Sequence, residues 1–228
     1  MATTREDGGM VSSARAGVTD RLRETGIIPV IVIDHPADAP ALATALIGGG
    51  LPCAEVTLRT PAALEAIRKI AESAPNLLLG AGTVLNPEQA ADAVSAGAGF
   101  VVAPGFNRSV VDYCLERDVP VFPGVCTPTE IESALQAGVQ YLKFFPAEAM
   151  GGVVCLKAIS APYRGVRFIP TGGITLSNVA SYLMLDNVIA CGGSWIAPSG
   201  EIAAGSFDAI RAKASAAVAE VLRARSGA

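Results

Sequence analysis

Eight short apolar runs recur along this chain, at residues 27–33, 54–57, 77–80, 100–103, 120–123, 141–145, 168–171 and 188–191. Their starts stand 20 to 27 residues apart, the length of a strand, a loop and a helix. Alanine, valine, isoleucine and glycine abound, a mixture that suits parallel strands covered by helices. Eight strand–helix units joined by right-handed crossovers close into a (β/α)8 barrel, and 228 residues is an ordinary length for one. An open doubly wound sheet has the same periodicity, but the count of eight favours the barrel. With hydrophobic residues at 51% and aromatics at only 5%, the core is large and aliphatic rather than that of an aromatic-rich sandwich.

Helix punctuation falls between the runs. Thr60-Pro61, Asn86-Pro87-Glu88 and Thr127-Pro128-Thr129-Glu130 each read as a cap and first turn. Ala96-Gly97-Ala98-Gly99 and Gln136-Ala137-Gly138-Val139 repeat one event, a glycine helix stop feeding the next strand, and Gly48-Gly49-Gly50 is a looser version. No linker or composition shift divides the chain. Residues 1–15 are expected to be a flexible lead-in, and 16–228 a single α/β barrel domain with a short N-terminal helix ending near Gly26.

Several function classes are disfavoured. The net charge is −4, and 13 of the 17 basic residues are scattered arginines, so no basic footprint for nucleic acid exists. No apolar stretch approaches the ~20 residues that span a bilayer. The first residues lack the charged-then-apolar order of a signal peptide. Five dispersed cysteines, Cys53, Cys114, Cys126, Cys155 and Cys191, read as reduced thiols of a cytoplasmic protein. With a single histidine, His35, ligands for zinc are too few, while composition alone leaves an oxygen-ligated metal open.

One lysine breaks the apolar pattern. Of four lysines, Lys69, Lys157 and Lys213 lie in amphipathic helix-like stretches, but Lys143 lies inside Val139-Gln-Tyr-Leu-Lys-Phe-Phe-Pro-Ala-Glu148. An ammonium on a buried strand loses its hydration unless a partner or neutralisation compensates, and a neutral amine in an apolar pocket attacks carbonyls. A structural ion pair with Glu55 is the plainer account. It weakens because active sites of such barrels form at the carboxyl ends of the strands. There the chain also places Arg59, Gly80-Ala-Gly-Thr83, Pro104-Gly105, Thr171-Gly-Gly173 and Gly192-Gly-Ser194. Arg59 and Thr83 suit a carboxylate, and the two glycine-rich turns after the seventh and eighth runs suit a phosphate. Strand alternation puts Tyr141, Lys143 and Phe145 on one face, with Leu142 and Phe144 toward the helices. His35 is expected in a loop without a role, Cys126 and Cys191 as apolar filler, and Trp195 as helix-side packing.

These residues carry a family resemblance. Ile28-Pro-Val-Ile-Val32, Glu55-Val-Thr-Leu-Arg-Thr60, Gly80-Ala-Gly-Thr-Val-Leu-Asn-Pro87, Leu142-Lys-Phe-Phe-Pro-Ala-Glu148, Pro170-Thr-Gly-Gly-Ile174 and Gly192-Gly-Ser-Trp195 occur in order and at similar spacing in the class I 2-keto-3-deoxy-6-phosphogluconate and 2-keto-4-hydroxyglutarate aldolases. The likeness runs from about Val18 to near the C-terminus. It implies Lys143 as the Schiff-base lysine, Glu55 as the acid/base, Arg59 and Thr83 as carboxylate binders, and Pro104 and Phe145 as pocket walls. Thr171, Gly172, Gly173, Gly193 and Ser194 fall at the phosphate site. The resemblance further implies a homotrimer and a covalent imine in place of a cofactor or metal. The implied reaction cleaves 2-keto-3-deoxy-6-phosphogluconate to pyruvate and glyceraldehyde 3-phosphate, with 2-keto-4-hydroxyglutarate, giving pyruvate and glyoxylate, as a further substrate. The chain departs from the family pattern at Met150, Cys126 and the loop Phe106-Asn-Arg108. Three alternatives stay open: an aldolase for the galactonate epimer, a phosphate-binding isomerase or synthase using Lys143 as an acid, and a non-catalytic binding barrel.

Overall fold

The computed structural model describes residues 13–227. Most of the expected lead-in, residues 1–12, therefore lies outside the described residues, and Ser13 opens helix α1 (Ser13–Thr25). Short parallel strands then alternate with helices. They are β1 (Ile27–Ile31), β2 (Cys53–Thr57), β3 (Leu78–Gly82), β4 (Phe100–Val102), β5 (Val121–Phe122), β6 (Gly124–Val125), β7 (Tyr141–Phe144), β8 (Arg167–Pro170) and β9 (Cys191–Gly193). The connecting helices are α2 (Ala39–Gly48), α3 (Ala63–Ser73), α4 (Pro87–Ser95), α5 (Arg108–Glu116), α6 (Pro128–Gln136), α7 (Gly152–Ser160) and α8 (Val179–Leu183). Helices α9 (Ser199–Ala203) and α10 (Phe207–Arg225) follow the last strand.

The strands form a six-stranded sheet, β5-β4-β3-β2-β1-β9, and a three-stranded sheet, β6-β7-β8. The eight expected runs thus become nine segments. The fifth run, expected to end at Pro123, resumes pairing beyond it in β6, and Pro123, which has no N–H to contribute to a ladder, stands between the two segments. The eighth pairs with β1 through Cys191–Gly193, later than most of its apolar residues. Isolated bridges Phe168↔Val188 and Thr171↔Gly192 join the neighbourhood of β8 to that of β9.

Local chemistry explains the helix starts. Asn86 accepts from the Gln89 N–H at 2.8 Å, and Thr127 and Glu130 form a reciprocal capping box. The Thr60-Pro61 start does not hold. Helix α3 begins at Ala63, and the Thr60 hydroxyl instead donates to the Ile33 carbonyl at 2.6 Å, tying the turn after β2 to that after β1. Gly97 and Gly138 follow α4 and α6 with φ of 108° and 80°, as the stop signals require.

The strands bury both faces, and the two cores differ. Toward the helices lies the large cluster that includes Ala54, Val56, Leu142 and Phe144. On the opposite face a smaller cluster gathers Ile28, Cys53, Leu78, Phe100, Phe122 and Ile169, with Tyr141 packed against it and Leu22 of α1 beneath. Phe100 and Phe122 meet edge to face at 5.8 Å. Gly80 makes this packing feasible, since a Cβ there would lie 2.1 Å from the Phe100 ring. The inner cluster occupies the face of the strands turned away from the helices.

Candidate active site

Lys143 and Glu55 lie on the same face as the inner cluster, with Lys143 in register with Ile169 of that cluster. Lys143 is the third residue of β7 and Glu55 the third of β2, and the residues flanking each of them pack toward the helices. Their side chains therefore point the other way, and the amine of one sheet meets the carboxylate of the other, Nζ to Oε1 at 3.4 Å. The residues are 3% and 2% exposed. Gly82 makes room for the carboxylate, because a Cβ on it would lie 2.1 Å from Glu55 Oε1.

Walls and rim follow from the neighbouring strands. The Phe145 ring centroid lies 5.1 Å from Lys143 Nζ, and the Phe145–Pro146 peptide is cis. Gly124 pairs in register with Lys143 and lets the Pro104 carbonyl approach to where a Cβ would sit, 2.1 Å away. At the rim, the exposed Arg59 donates from Nε to Thr83 Oγ1 at 3.3 Å. Thr83 holds φ at 58°, a left-handed conformation that costs a β-branched residue on the order of 1–3 kcal/mol. Thr83→Gly is accordingly expected to unfold in denaturant within about 1 kcal/mol of the parent despite losing the hydroxyl. A loss beyond ~2 kcal/mol would show that the hydroxyl contacts outweigh the backbone strain.

The two glycine-rich turns lie side by side. Thr171 is buried, and Gly192 leaves space for it, with Thr171 Oγ1 2.3 Å from where a Cβ would be. Gly172 and Gly173 have φ of 100° and 79°, open to glycine and little else. Gly193 is buried and Ser194 exposed at the same end of β9. The expected site residues thus share the carboxyl ends of the strands.

The remaining candidates behave as packing. His35 is exposed ahead of a short 3-10 turn, Pro36–Asp38. Burial pushes the Cys114 thiol up to about 12 and raises Cys53 and Cys191 as well. Cys126 is raised by burial and then by Glu130, so none of these is a ready thiolate. Trp195 packs against the helix-side core, its Nε1 2.8 Å from the Cβ position of Gly193. Among the described residues no group of three or more His, Cys, Asp or Glu side chains could hold a metal ion, and no helix is long and apolar enough to cross a membrane. A cavity of about 450 Å³ lies at the opposite end of the strands, between Arg23, Arg167 and Arg225. Arg225 and Arg167 there donate to backbone carbonyls of Glu24, Ile189, Arg164 and Val166.

Sequence reasoning did not assign the spacing roles of Gly82 and Gly124, nor the contact of Glu148 with Tyr182, whose hydroxyl donates to Glu148 Oε1. Glycine inside a strand is the available signal for the first two. The third joins residues 34 apart with no local pattern to link them.

The chain is similar to several known proteins. Residues 18–213 match the family model of the KDPG and KHG aldolases. A 2-dehydro-3-deoxy-phosphogluconate aldolase of Treponema pallidum is 50% identical over 195 residues, 86% of this chain and 93% of the relative. The KDPG aldolase of Legionella pneumophila, solved with pyruvate captured at low pH as a covalent carbinolamine, superposes with a TM-score of 0.84 at 42% identity, covering 87% of this chain and 97% of that one. The 2-keto-3-deoxy-6-phosphogluconate aldolase of Zymomonas mobilis, solved with 3-phosphoglycerate, gives 0.82 at 39% identity, covering 88% and 96%. With residues 18–213 matched by the family model and 50% identity to one relative over 195 residues, this chain belongs to the KDPG and KHG aldolase family.

Proposed function

We propose that this protein is a Schiff-base aldolase that cleaves 2-keto-3-deoxy-6-phosphogluconate to pyruvate and glyceraldehyde 3-phosphate. The observation that carries the reading is the buried Lys143–Glu55 pair beneath a rim of carboxylate- and phosphate-competent groups. The free amine of Lys143 attacks the C2 ketone to give a carbinolamine. Glu55 moves the proton that lets its hydroxyl leave as water, and the protonated imine that results is an electron sink. Glu55 then takes the proton of the C4 hydroxyl. The C4 aldehyde forms, the C3–C4 bond breaks, and its electron pair passes into an enamine. Protonation at C3 and hydrolysis return pyruvate and free Lys143. The imine supplies the electrophilic activation that a Lewis acid provides elsewhere, so the proposal uses no metal.

Recognition is assigned to the two ends of the substrate. Arg59 and Thr83 hold the carboxylate, Pro104 and Phe145 wall the reacting carbons, and Thr171, Gly172, Gly173, Gly193 and Ser194 hold the phosphate. Fixing both ends turns binding into orientation of the scissile bond. The family's second substrate, 2-keto-4-hydroxyglutarate, fits the same carboxylate end and the same imine, giving pyruvate and glyoxylate.

The proposal also takes the two sheets as arcs of one eight-stranded barrel forming a single domain over residues 16–228. The continuity of β5 and β6 around Pro123 and the bridges Phe168↔Val188 and Thr171↔Gly192 support that closure. A cytoplasmic homotrimer is the assembly the family resemblance implies.

Incubation with pyruvate, reduction with borohydride and peptide mass mapping tests the chemistry. A reduced pyruvate on Lys143 is expected. A folded, unmodified protein would sink the Schiff-base reading and leave the acid-catalysing isomerase in its place. Comparing kcat/KM across the gluconate, galactonate and hydroxyglutarate substrates then assigns the preference.

A further inference from the structure

The turn after β7 and the turn after β8 are fastened to each other by groups outside the catalytic pair. Ala147 N–H donates to the Thr171 carbonyl at 2.8 Å, and Glu148 N–H to the Gly172 carbonyl at 3.0 Å. The fit between the turns is close. A Cβ on Gly172 would lie 3.2 Å from Pro146 Cα, and one on Gly173 would lie 2.6 Å from Glu148 Cβ. From the other side, the Asn178 amide donates to the Gly173 carbonyl at 3.0 Å and accepts from the Thr175 N–H at 2.8 Å. Glu148 is exposed, yet its carboxylate is bound by the hydroxyl of Tyr182, a fully buried residue of α8. Burial and then Glu148 raise the Tyr182 hydroxyl above its ordinary range, so it remains a donor.

A carboxylate beside an anion-accepting turn repels a phosphate. Its presence there calls for a compensating role, and the contacts supply one. We propose that Glu148, held by Tyr182, is a positioning residue for recognition of the substrate's phosphate. It fixes the 146–148 segment as the wall against which Gly172 and Gly173 are set, so that their N–H groups keep the orientation an anion requires. Glu148 itself touches no reacting atom. The inference rests on the phosphate assignment made above.

Tyr182→Phe, Glu148→Ala and Glu148→Gln test it, assayed with 2-keto-3-deoxy-6-phosphogluconate and with 2-keto-4-hydroxyglutarate, which carries no phosphate. For Tyr182→Phe and Glu148→Ala, KM for the phosphorylated substrate is expected to rise about tenfold while its kcat and both constants for the unphosphorylated one stay within about twofold. Glu148→Gln keeps an acceptor for the Tyr182 hydroxyl and is expected to stay near the parent. Equal shifts for both substrates, or none for either, would overturn the proposal. If the Phe variant fails to fold, the two changes at exposed Glu148 decide the matter alone. Borohydride trapping of the parent with pyruvate separates the levels. An unmodified parent overturns the aldolase reading itself, whereas a trapped parent with substrate-indifferent variants overturns only the role of Glu148.

Discussion

Lys143→Met is expected to abolish aldol cleavage, with turnover falling by about 10⁴-fold or more and no pyruvate retained after borohydride reduction. The substitution does a second thing that a surface mutation would not. It leaves Glu55, 2% exposed, without the cation that lies 3.4 Å away. Breaking one side of a buried pair costs ~3–5 kcal/mol, because the orphaned carboxylate has neither water nor partner. Replacing both members by apolar residues of similar volume removes that penalty. The double variant Lys143→Met with Glu55→Leu is therefore expected to be inactive yet more stable than the single Met variant by ~2 kcal/mol or more in denaturant unfolding. Equal stabilities would show that water reaches Glu55 in the variant. The comparison separates what the pair does for the fold from what it does for the chemistry. A pair retained at a cost in stability is the expected mark of a site selected for turnover.

Much of this arrangement was readable in the chain because a buried parallel strand writes itself plainly. Both faces are dry, so 54–57 and 141–145 stand out as apolar runs, and a charge inside either is conspicuous. Alternation then assigned sides, and the packing of Leu142 and Phe144 toward the helices with Tyr141 on the inner cluster follows it. Family motifs narrowed the chemistry further than physics alone would have done, since a buried lysine and glutamate are equally the description of a structural pair. What the sequence left obscure has common physical causes. Pro123 reads as the end of the fifth run, yet pairing resumes past it in Gly124–Val125, where a glycine adds nothing to a hydrophobic pattern. The last strand pairs through glycines, which carry no side chain to register in a periodicity. Thr60 resembles a cap but spends its hydroxyl on Ile33, a neighbour only once β1 and β2 are paired. The Tyr182–Glu148 contact and the clearance above Gly82 likewise arise from tertiary approach, for which no local rule exists.

Gly82→Ala is expected to reproduce the defect of a missing acid/base without touching a catalytic residue. Gly82 ends β3 opposite Thr57 in register, on the face toward which Glu55 reaches. Its φ is not in the left-handed region, so alanine meets no backbone objection, and the effect of the substitution is steric alone. The added Cβ would lie 2.1 Å from Glu55 Oε1 and 2.8 Å from both Cδ and Cγ. All three separations are inside van der Waals contact, so the carboxylate must move. Loss of a placed acid/base reduces turnover by ~10²–10⁴-fold, and a displaced one is expected at the lower end of that range. Glu55→Gln, which keeps shape and loses proton transfer, is expected at the upper end. In both variants the Lys143 amine remains, so slow trapping of pyruvate by borohydride should persist while cleavage measured by pyruvate release falls. Retained turnover in Gly82→Ala would mean that the strand shifts to accept the methyl group, and that the position of Glu55 is less sharply set by β3 than its contacts indicate. Loss of trapping as well as turnover would instead make Glu55 indispensable to forming the imine, and not only to bond cleavage. One methyl group placed behind Glu55 thus separates its part in imine formation from its part in cleavage.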